Sequence, residues 1–302
     1  MLDVSLVGTG GMVPMPKRFL SSMIARLNGR MLLVDCGEGT QVSLKNLGWG
    51  FKTIDAILFT HYHADHISGL PGMLHAINNT GREEPLKLIG PKGLVIVVDA
   101  LRVIAPELNF DVEYIVLDEE QNKFFVSDIE IDYIFVEHSV KCVAYKFEVY
   151  RKGQFQVEKA RALNLPKNLW GKIQKEGKAI FEGKEYTEDM VLGEPRRGIK
   201  VSYCTDSRPV KRLVDFAKNS DLFVCEGMYG EDEKLQKAKE NKHMVFSEAA
   251  KIAKEADVKE LWLTHFSPSL NDPEHFIKNA TDIFSNTKVG YDNMTTNILF
   301  KD

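Results

Sequence analysis

Thr60 to Gly72 reads THYHADHISGLPG and follows directly on the apolar run DAILF, Asp55 to Phe59. His61, His63, Asp65 and His66 thus fall within six residues. At 3.6 residues per helical turn, His61 and His63 would point to opposite sides of a helix. A short apolar run bounded by turn residues is a strand, and ADHISGLPG does not continue one. The four side chains are therefore expected in a loop at a strand end, where a tight turn can aim them at one point. Clustered His and Asp would otherwise repel or demand burial partners, so the expected reason for the cluster is a metal ion.

The rest of the chain bounds what surrounds this loop. With 302 residues, 44% of them apolar, it can bury the core of one domain of about 200 to 250 residues and carry an insertion besides. The opening MLDVSLVGTGG lacks the basic and apolar regions of an export signal, and no apolar run nears the ~18 residues of a membrane span. A soluble, cytoplasmic protein without membrane contact is expected. Cys36, Cys142, Cys204 and Cys225 are far apart and lie in strand-like runs, which points to buried, reduced thiols rather than a disulfide framework.

A formal charge of −4 argues against a protein that coats nucleic acid all over. Its distribution is uneven, however: Arg151 to Lys178 carries +6 and the remainder −10. That segment is a candidate footprint for a polyanion, with Phe155 and Trp170 available for stacking.

Strand-like runs recur as VSLVGTGG, MLLVDCG, LKLIGP, IEIDYIFVEH, VAYKFEVY, KVSYCTD, DLFVCEG, ELWLTHFSP and NILF. Helix-period segments lie between several of them, including GTQVSLKNLG, LVIVVDALRVI, RPVKRLVDFAKNS and SEAAKIAKEA. PEHFIKNATDIF is another, opened by Asp272 as N-cap and Pro273 at the first position. This order predicts mixed sheets covered by helices. Residues 151–198 fit least well, being rich in Lys, Gly and Glu with weak periodicity, and are expected to form an arm inserted in a single domain spanning 1–302.

Four further strand ends carry a metal-capable residue: Asp35 in LLVDCG, His138 in FVEHSV, Asp206 in YCTDSR and His265 in LWLTHFSP. Loops at one edge of a sheet can converge while the sheet holds them rigid. Divalent ions accept imidazole and carboxylate together, and even without Asp35 the seven remaining residues exceed one tetrahedral site. Two ions sharing a bridging carboxylate would use them. His75 and His275 stand alone and are assigned no role.

HYHADH, with Asp206 and His265, resembles the HxHxDH signature of the metallo-β-lactamase superfamily. That resemblance implies an α/β (α+β) fold, an αββα sandwich with a dinuclear site at one edge. It further implies that His61, His63 and His138 hold one ion, that Asp65, His66 and His265 hold the other, that Asp206 bridges, and that Asp35 supports the site from behind. Asp206 stands where some lactam-cleaving relatives use Cys, which makes lactam hydrolysis the less expected chemistry.

VSLVGTGGMVP, PKRFLSS, DCGEGTQ, THYHADHISGLPG, YCTDSRP, CEGMYG and HMVFSEAAKIA together resemble one branch, the ribonuclease Z family of tRNA 3′-processing endonucleases. Residues 243–245 read HMV and 225–228 read CEGM, where the family commonly shows His-Ser-Thr and His-Glu-Ala-Thr. The resemblance implies two divalent ions, zinc first with manganese or iron as alternatives, a precursor tRNA substrate cut to leave a 3′ hydroxyl, and a homodimer. It assigns His243 as proton donor with Glu226 orienting it, and Asp65 as a ligand able to pass a proton. Lys17 and Arg18 would meet phosphates, and a basic arm carrying Lys167, Lys172 and Lys175 would clamp the tRNA. The competing readings are a sibling hydrolase of small diesters such as cyclic nucleotides, and a non-catalytic, metal-stabilised RNA-binding protein.

Overall fold

The computed structural model describes residues 1–105, 107–118 and 123–301. The apolar runs become two seven-stranded mixed sheets flanked by helices. In the first, the order is β16 (Thr295–Ile298), β1 (Leu2–Gly8), β2 (Ser22–Leu27), β3 (Arg30–Val34), β4 (Ile54–Leu58), β5 (Leu86–Pro91) and β6 (Val112–Leu117). In the second it is β15 (Thr287–Val289), β14 (Leu261–Thr264), β13 (Leu222–Glu226), β12 (Arg196–Cys204), β9 (Cys142–Arg151), β8 (Ile129–Val136) and β7 (Phe124–Val126).

Each sheet has a parallel half. β3, β4, β5 and β6 run parallel to one another, as do β12, β13, β14 and β15. Parallel neighbours need crossover connections, and these supply the helices. Thr40–Leu47, Leu70–Asn78 and Leu94–Arg102 bury Leu44, Leu74 and Val98 against Ile24, Leu33, Ile57 and Leu88 of the first sheet. On the second sheet, Lys211–Ala217 and Phe246–Glu255 bury Leu213, Ala250 and Ala253 against Cys204, Phe223 and Leu263. Strands buried on both faces read as unbroken apolar runs. In β3, Met31 and Leu33 face the helices, while Leu32 and Val34, equally buried, alternate to the opposite face.

Asp272 caps the turn Pro273–Phe276, its Oδ1 accepting from the Glu274 N–H at 3.2 Å. All four cysteines are buried and unpaired.

Residues 1–149 and 199–299 form one compact unit, and 150–198 with 300–302 another. The second unit has more structure of its own than its weak periodicity predicts. It contains the helices Val157–Ala162 and Lys167–Glu176 and a hairpin of β10 (Lys178–Phe181) and β11 (Lys184–Thr187). Elements of four to ten residues are too short to show a period. Ala160, Leu165, Ile173, Ala179, Tyr186 and Val191 form its core.

Phe155 and Trp170 are half-buried. They pack on that core with ring centroids 5.5 Å apart, and Trp170 Nε1 donates to the Leu165 carbonyl at 3.0 Å. A unit this small has few apolar side chains with which to exclude water, so its aromatics help to cover the core.

Candidate metal centre

Six strand ends meet at one edge of the larger unit. Asp35 follows β3, His61 and His63 follow β4, His138 follows β8, Asp206 follows β12, Glu226 ends β13 and His265 follows β14. Asp65 and His66 stand on the single-turn helix Ala64–Ile67. Asp35, Asp206 and His265 turn off their strands with φ of 58°, 45° and 59°. That left-handed conformation costs residues with a Cβ of the order of 1–3 kcal/mol each. Three such residues at one edge mark a place where the fold holds side chains against local preference.

All seven ligands expected from the sequence converge. The ligand atoms of His61, His63, His138 and Asp206 lie within 4.8 Å of one another, as do those of Asp65, His66 and His265. Asp206 stands between the sets. Its Oδ2 is 3.7 Å from His61 Nε2 and 3.6 Å from His138 Nε2, while its Oδ1 is 3.2 Å from His66 Nε2 and 3.1 Å from His265 Nε2.

This arrangement fits a pair of divalent cations. His66 Nε2 faces His265 Nε2 at 3.2 Å, and His61 Nε2 faces His63 Nδ1 at 3.0 Å. Two nitrogens each ~2.0–2.1 Å from one tetrahedral ion stand about 3.3 Å apart. Asp206 Oδ1 is buried without a hydrogen-bond partner among the described residues, which a cation would remedy.

Burial drives His61 well below its ordinary pKa, reinforced by repulsion from His66, leaving a neutral donor. Burial likewise opposes charge on Asp65 and Asp206, yet the surrounding histidines outweigh it and hold both carboxylates below their usual range.

Behind the ligands, Asp35 accepts from His66 Nδ1 at 2.9 Å, from the Thr60 N–H at 2.8 Å and from the Thr60 hydroxyl at 2.9 Å. Thr60 Oγ1 in turn lies 3.1 Å from His61 Nδ1. One buried carboxylate thus orients two imidazoles, one of them through a hydroxyl. The sequence does not single out Thr60, though its place beside His61 is a usable signal. Met12 escapes the sequence as well: its N–H donates to Asp65 Oδ2 at 2.7 Å. Gly11 is needed there, since a Cβ would come 2.7 Å from the His265 ring. At Gly37 a Cβ would come 2.1 Å from the Asp65 carbonyl oxygen, so the DCGEG glycine is required by the ligand loop.

Beside the two clusters, His243 Nδ1 lies 3.2 Å from Glu226 Oε2. Burial disfavours its charge, but the Glu226 carboxylate overrides this and lifts the imidazolium pKa to about 9. Glu226 is itself buried and accepts from the backbone N–H groups of Ser207 at 2.5 Å and Met244 at 2.9 Å.

The basic residues are placed differently. Lys17 is exposed. Arg18 is half-buried, and its guanidinium donates to the Leu270 and Asn271 carbonyls at 2.9 and 3.2 Å. Lys167, Lys172 and Lys175 are exposed on the helix Lys167–Glu176 of the smaller unit, opposite its buried Ile173. The same unit carries acidic residues on and after the hairpin, where Glu185 and Glu188 pair with Lys178 and Lys152. Its basic character is therefore concentrated on the helices.

A family model described as Anti-Pycsar protein Apyc1 matches residues 2–147. The ribonuclease Z of Lachnospira eligens is 54% identical over 302 residues, covering 100% of this chain and 99% of the relative. Among solved structures, the metallo-β-lactamase fold protein YhfI from Bacillus subtilis superposes with a TM-score of 0.71 at 21% identity over 98% of each chain. The short form of human tRNase Z does so with a TM-score of 0.70 at 23% identity, over 99% of this chain and 100% of that one.

Proposed function

The chain belongs to the ribonuclease Z family, and from that premise we propose how its residues share the removal of the 3′ trailer from precursor tRNA. It is a metal-dependent hydrolase of the metallo-β-lactamase fold, an endoribonuclease that processes tRNA 3′ ends. The observation that carries this reading is identity running over the whole chain, residues 151–198 included. The match to Anti-Pycsar protein Apyc1 ends before that segment.

His61, His63 and His138 would hold one ion and Asp65, His66 and His265 the other, with Asp206 between them; the separation of the two carboxylate oxygens of Asp206 toward the two sets supports this. Imidazole-rich sites with a few carboxylates favour zinc, with manganese and iron(II) as alternatives set by supply. Such ions, when bound, lower the pKa of a water and neutralise charge on the phosphate. The chain's own groups do the rest. His243, held by Glu226, is poised to donate a proton to the departing 3′ oxygen, and general acids of this kind contribute about 10²–10⁴-fold. Asp35, through His66 and Thr60, fixes the direction of the imidazoles.

Residues 151–198 act as the tRNA-docking arm of an otherwise single domain spanning 1–302, with Lys167, Lys172 and Lys175 on backbone phosphates. Their exposure supports this, since phosphate contacts position a nucleic acid without reading its sequence. Lys17, exposed as they are, joins them in meeting phosphate. Arg18 has two donors committed to backbone carbonyls, so its remaining N–H groups are what it can offer to phosphate. The protein works as a homodimer, one subunit's arm presenting RNA to the other's site, in the cytoplasm where precursor tRNA is found. No helix among the described residues is long and apolar enough to cross a membrane.

The test is cleavage of a precursor tRNA bearing a 3′ trailer, with product ends mapped, beside bis(p-nitrophenyl) phosphate and a cyclic nucleotide. A single cut at the discriminator base that leaves a 3′ hydroxyl is expected. Turnover of the small diesters with no cut in the precursor would overturn the tRNA reading and favour a small-diester enzyme. Precursor binding with no hydrolysis of any substrate by metal-loaded protein would make it a binding protein.

A further inference from the structure

Glu226 holds the side chain of His243, but something must hold the loop from which that side chain projects. His243 follows Lys242, the left-handed end of the helix Leu235–Asn241, and precedes the helix Phe246–Glu255. Its carbonyl oxygen accepts from Arg208 Nη1. The same guanidinium forms a two-pronged pair with Glu248: Nη1 donates to Oε2 at 2.8 Å and Nη2 to Oε1. Glu248 Oε2 also accepts from the Val245 N–H at 3.2 Å, closing the loop onto the helix start.

Arg208 itself is fixed at its root. It lies two residues beyond Asp206, and its N–H donates to the Glu137 carbonyl at 2.8 Å, next to His138. The segment that carries Asp206 thus also carries the clamp on the proton donor's loop, and it is pinned to the segment that carries His138.

We propose that Arg208 is the positioning residue for the proton donor. It ties the His243 loop to the Asp206 loop, so that His243 keeps its place when the leaving oxygen departs. This rests on the reading of His243 as general acid.

Two features separate the role from a phosphate contact and from ordinary packing. The side chains of Arg208 and Glu248 are only 11% and 14% exposed, and Nη1 is spent on His243 and Glu248, so the guanidinium faces inward. A planar fork is also required. Only Arg presents parallel donors that can grip a carboxylate and a neighbouring carbonyl together, whereas Lys offers one compact ammonium. Lysine at 208 can keep one of these bonds but not the set.

A leaving group that needs no proton exposes the difference. Precursor tRNA would be prepared with either oxygen or sulfur as the bridging 3′ atom of the scissile bond. In both substrates water adds to phosphorus and the P–O3′ or P–S3′ bond breaks, but a thiolate departs without protonation. Single-turnover rates at saturating enzyme would be measured for the wild type, Arg208→Gln, Arg208→Lys, Glu248→Gln and His243→Ala, with bound metal counted for each.

The expected result for Arg208→Gln is a fall of about 100-fold on the oxygen ester, within the range of general-acid effects, and less than about threefold on the sulfur ester. Arg208→Lys and Glu248→Gln should fall between wild type and Arg208→Gln, and all should bind the wild-type quantity of metal. Equal slowing of both esters by the position 208 and 248 variants, or no slowing, would overturn the proposal while His243→Ala still discriminates between the esters. If His243→Ala fails to discriminate, the proton-donor reading falls and the proposal falls with it. Should Arg208→Gln not fold, the lysine and Glu248 variants carry the same test.

Discussion

The metal edge and the arm solve opposite problems with the same twenty amino acids. At the metal edge, His61, His66, Asp206 and His265 are at most 2% exposed, and Asp35, Asp206 and His265 stand in strained backbone on strand ends. In the arm, Lys167, Lys172 and Lys175 are exposed on one ten-residue helix whose inner face covers a core of a few side chains. Chemistry at a phosphorus atom tolerates little misplacement, so its groups are over-determined by two sheets. Docking a polyanion needs charge at roughly the right spacing, and a small, charged unit suffices. The difference teaches that damage to the edge should stop the reaction on every substrate, whereas damage to the arm should be felt only by a large one.

The heaviest blow to this contrast is Asp206→Ala. Removing the carboxylate between the two ligand sets should lower hydrolysis of precursor tRNA and of bis(p-nitrophenyl) phosphate alike by more than about 10⁴-fold, as several kcal/mol of charge stabilisation disappear together. Metal analysis should find fewer ions per chain. An Asp206→Ala protein that still cut small diesters would break the account at its centre.

Next in size is the positioning shell. Asp35→Asn leaves His66 and Thr60 with a weaker acceptor, and metal affinity should drop by about 10–100-fold, measured by competition with a chelator. Its folding should remain cooperative in a thermal melt. Unchanged affinity would mean that the ligands are aligned by the sheets alone.

The pH dependence sharpens the comparison further. Glu226 raises the pKa of His243; in the proposed role of proton donor His243 works only while protonated, so activity should be lost as pH rises through that pKa. Glu226→Gln removes the raising charge and should move the alkaline limb of the precursor cleavage profile to lower pH. A limb that stays in place would detach Glu226 from the proton donor.

The smallest expected effect on chemistry is in the arm core. Trp170→Ala should cost the arm about 3 kcal/mol of local stability, seen as faster amide exchange in 157–187 with β3 and β4 unchanged. Hydrolysis of bis(p-nitrophenyl) phosphate should stay within a factor of about two. A matching loss in β3 and β4 would show that the two units fold as one.

Much of the edge can be read from the chain because its signal is local. HYHADH needs no alignment to look like a ligand loop, and the other residues of the cluster announce themselves as His or Asp after apolar runs. The two-sheet fold follows from the same runs. What escapes are interactions made by backbone or across long separations. The Met12 N–H has no signature in sequence, Arg208 meets Glu248 forty residues on, and Thr60 looks like part of a strand. Trp170 and Phe155 escape for a related reason: an aromatic residue within a basic segment reads as a stacking surface, and only the structure shows that both rings also cover the small unit's core.

The most direct measurement is the pair of rates, precursor tRNA against bis(p-nitrophenyl) phosphate, for a Lys167→Glu, Lys172→Glu, Lys175→Glu variant at several salt concentrations. If docking and chemistry reside in separate units, precursor cleavage at sub-saturating enzyme should fall by roughly 10–100-fold with a shallower salt dependence, the logarithmic slope shrinking by about one for each phosphate no longer neutralised, while the small diester is hydrolysed as before. Equal loss on both substrates, or an unchanged rate and salt slope on the precursor, would contradict that division.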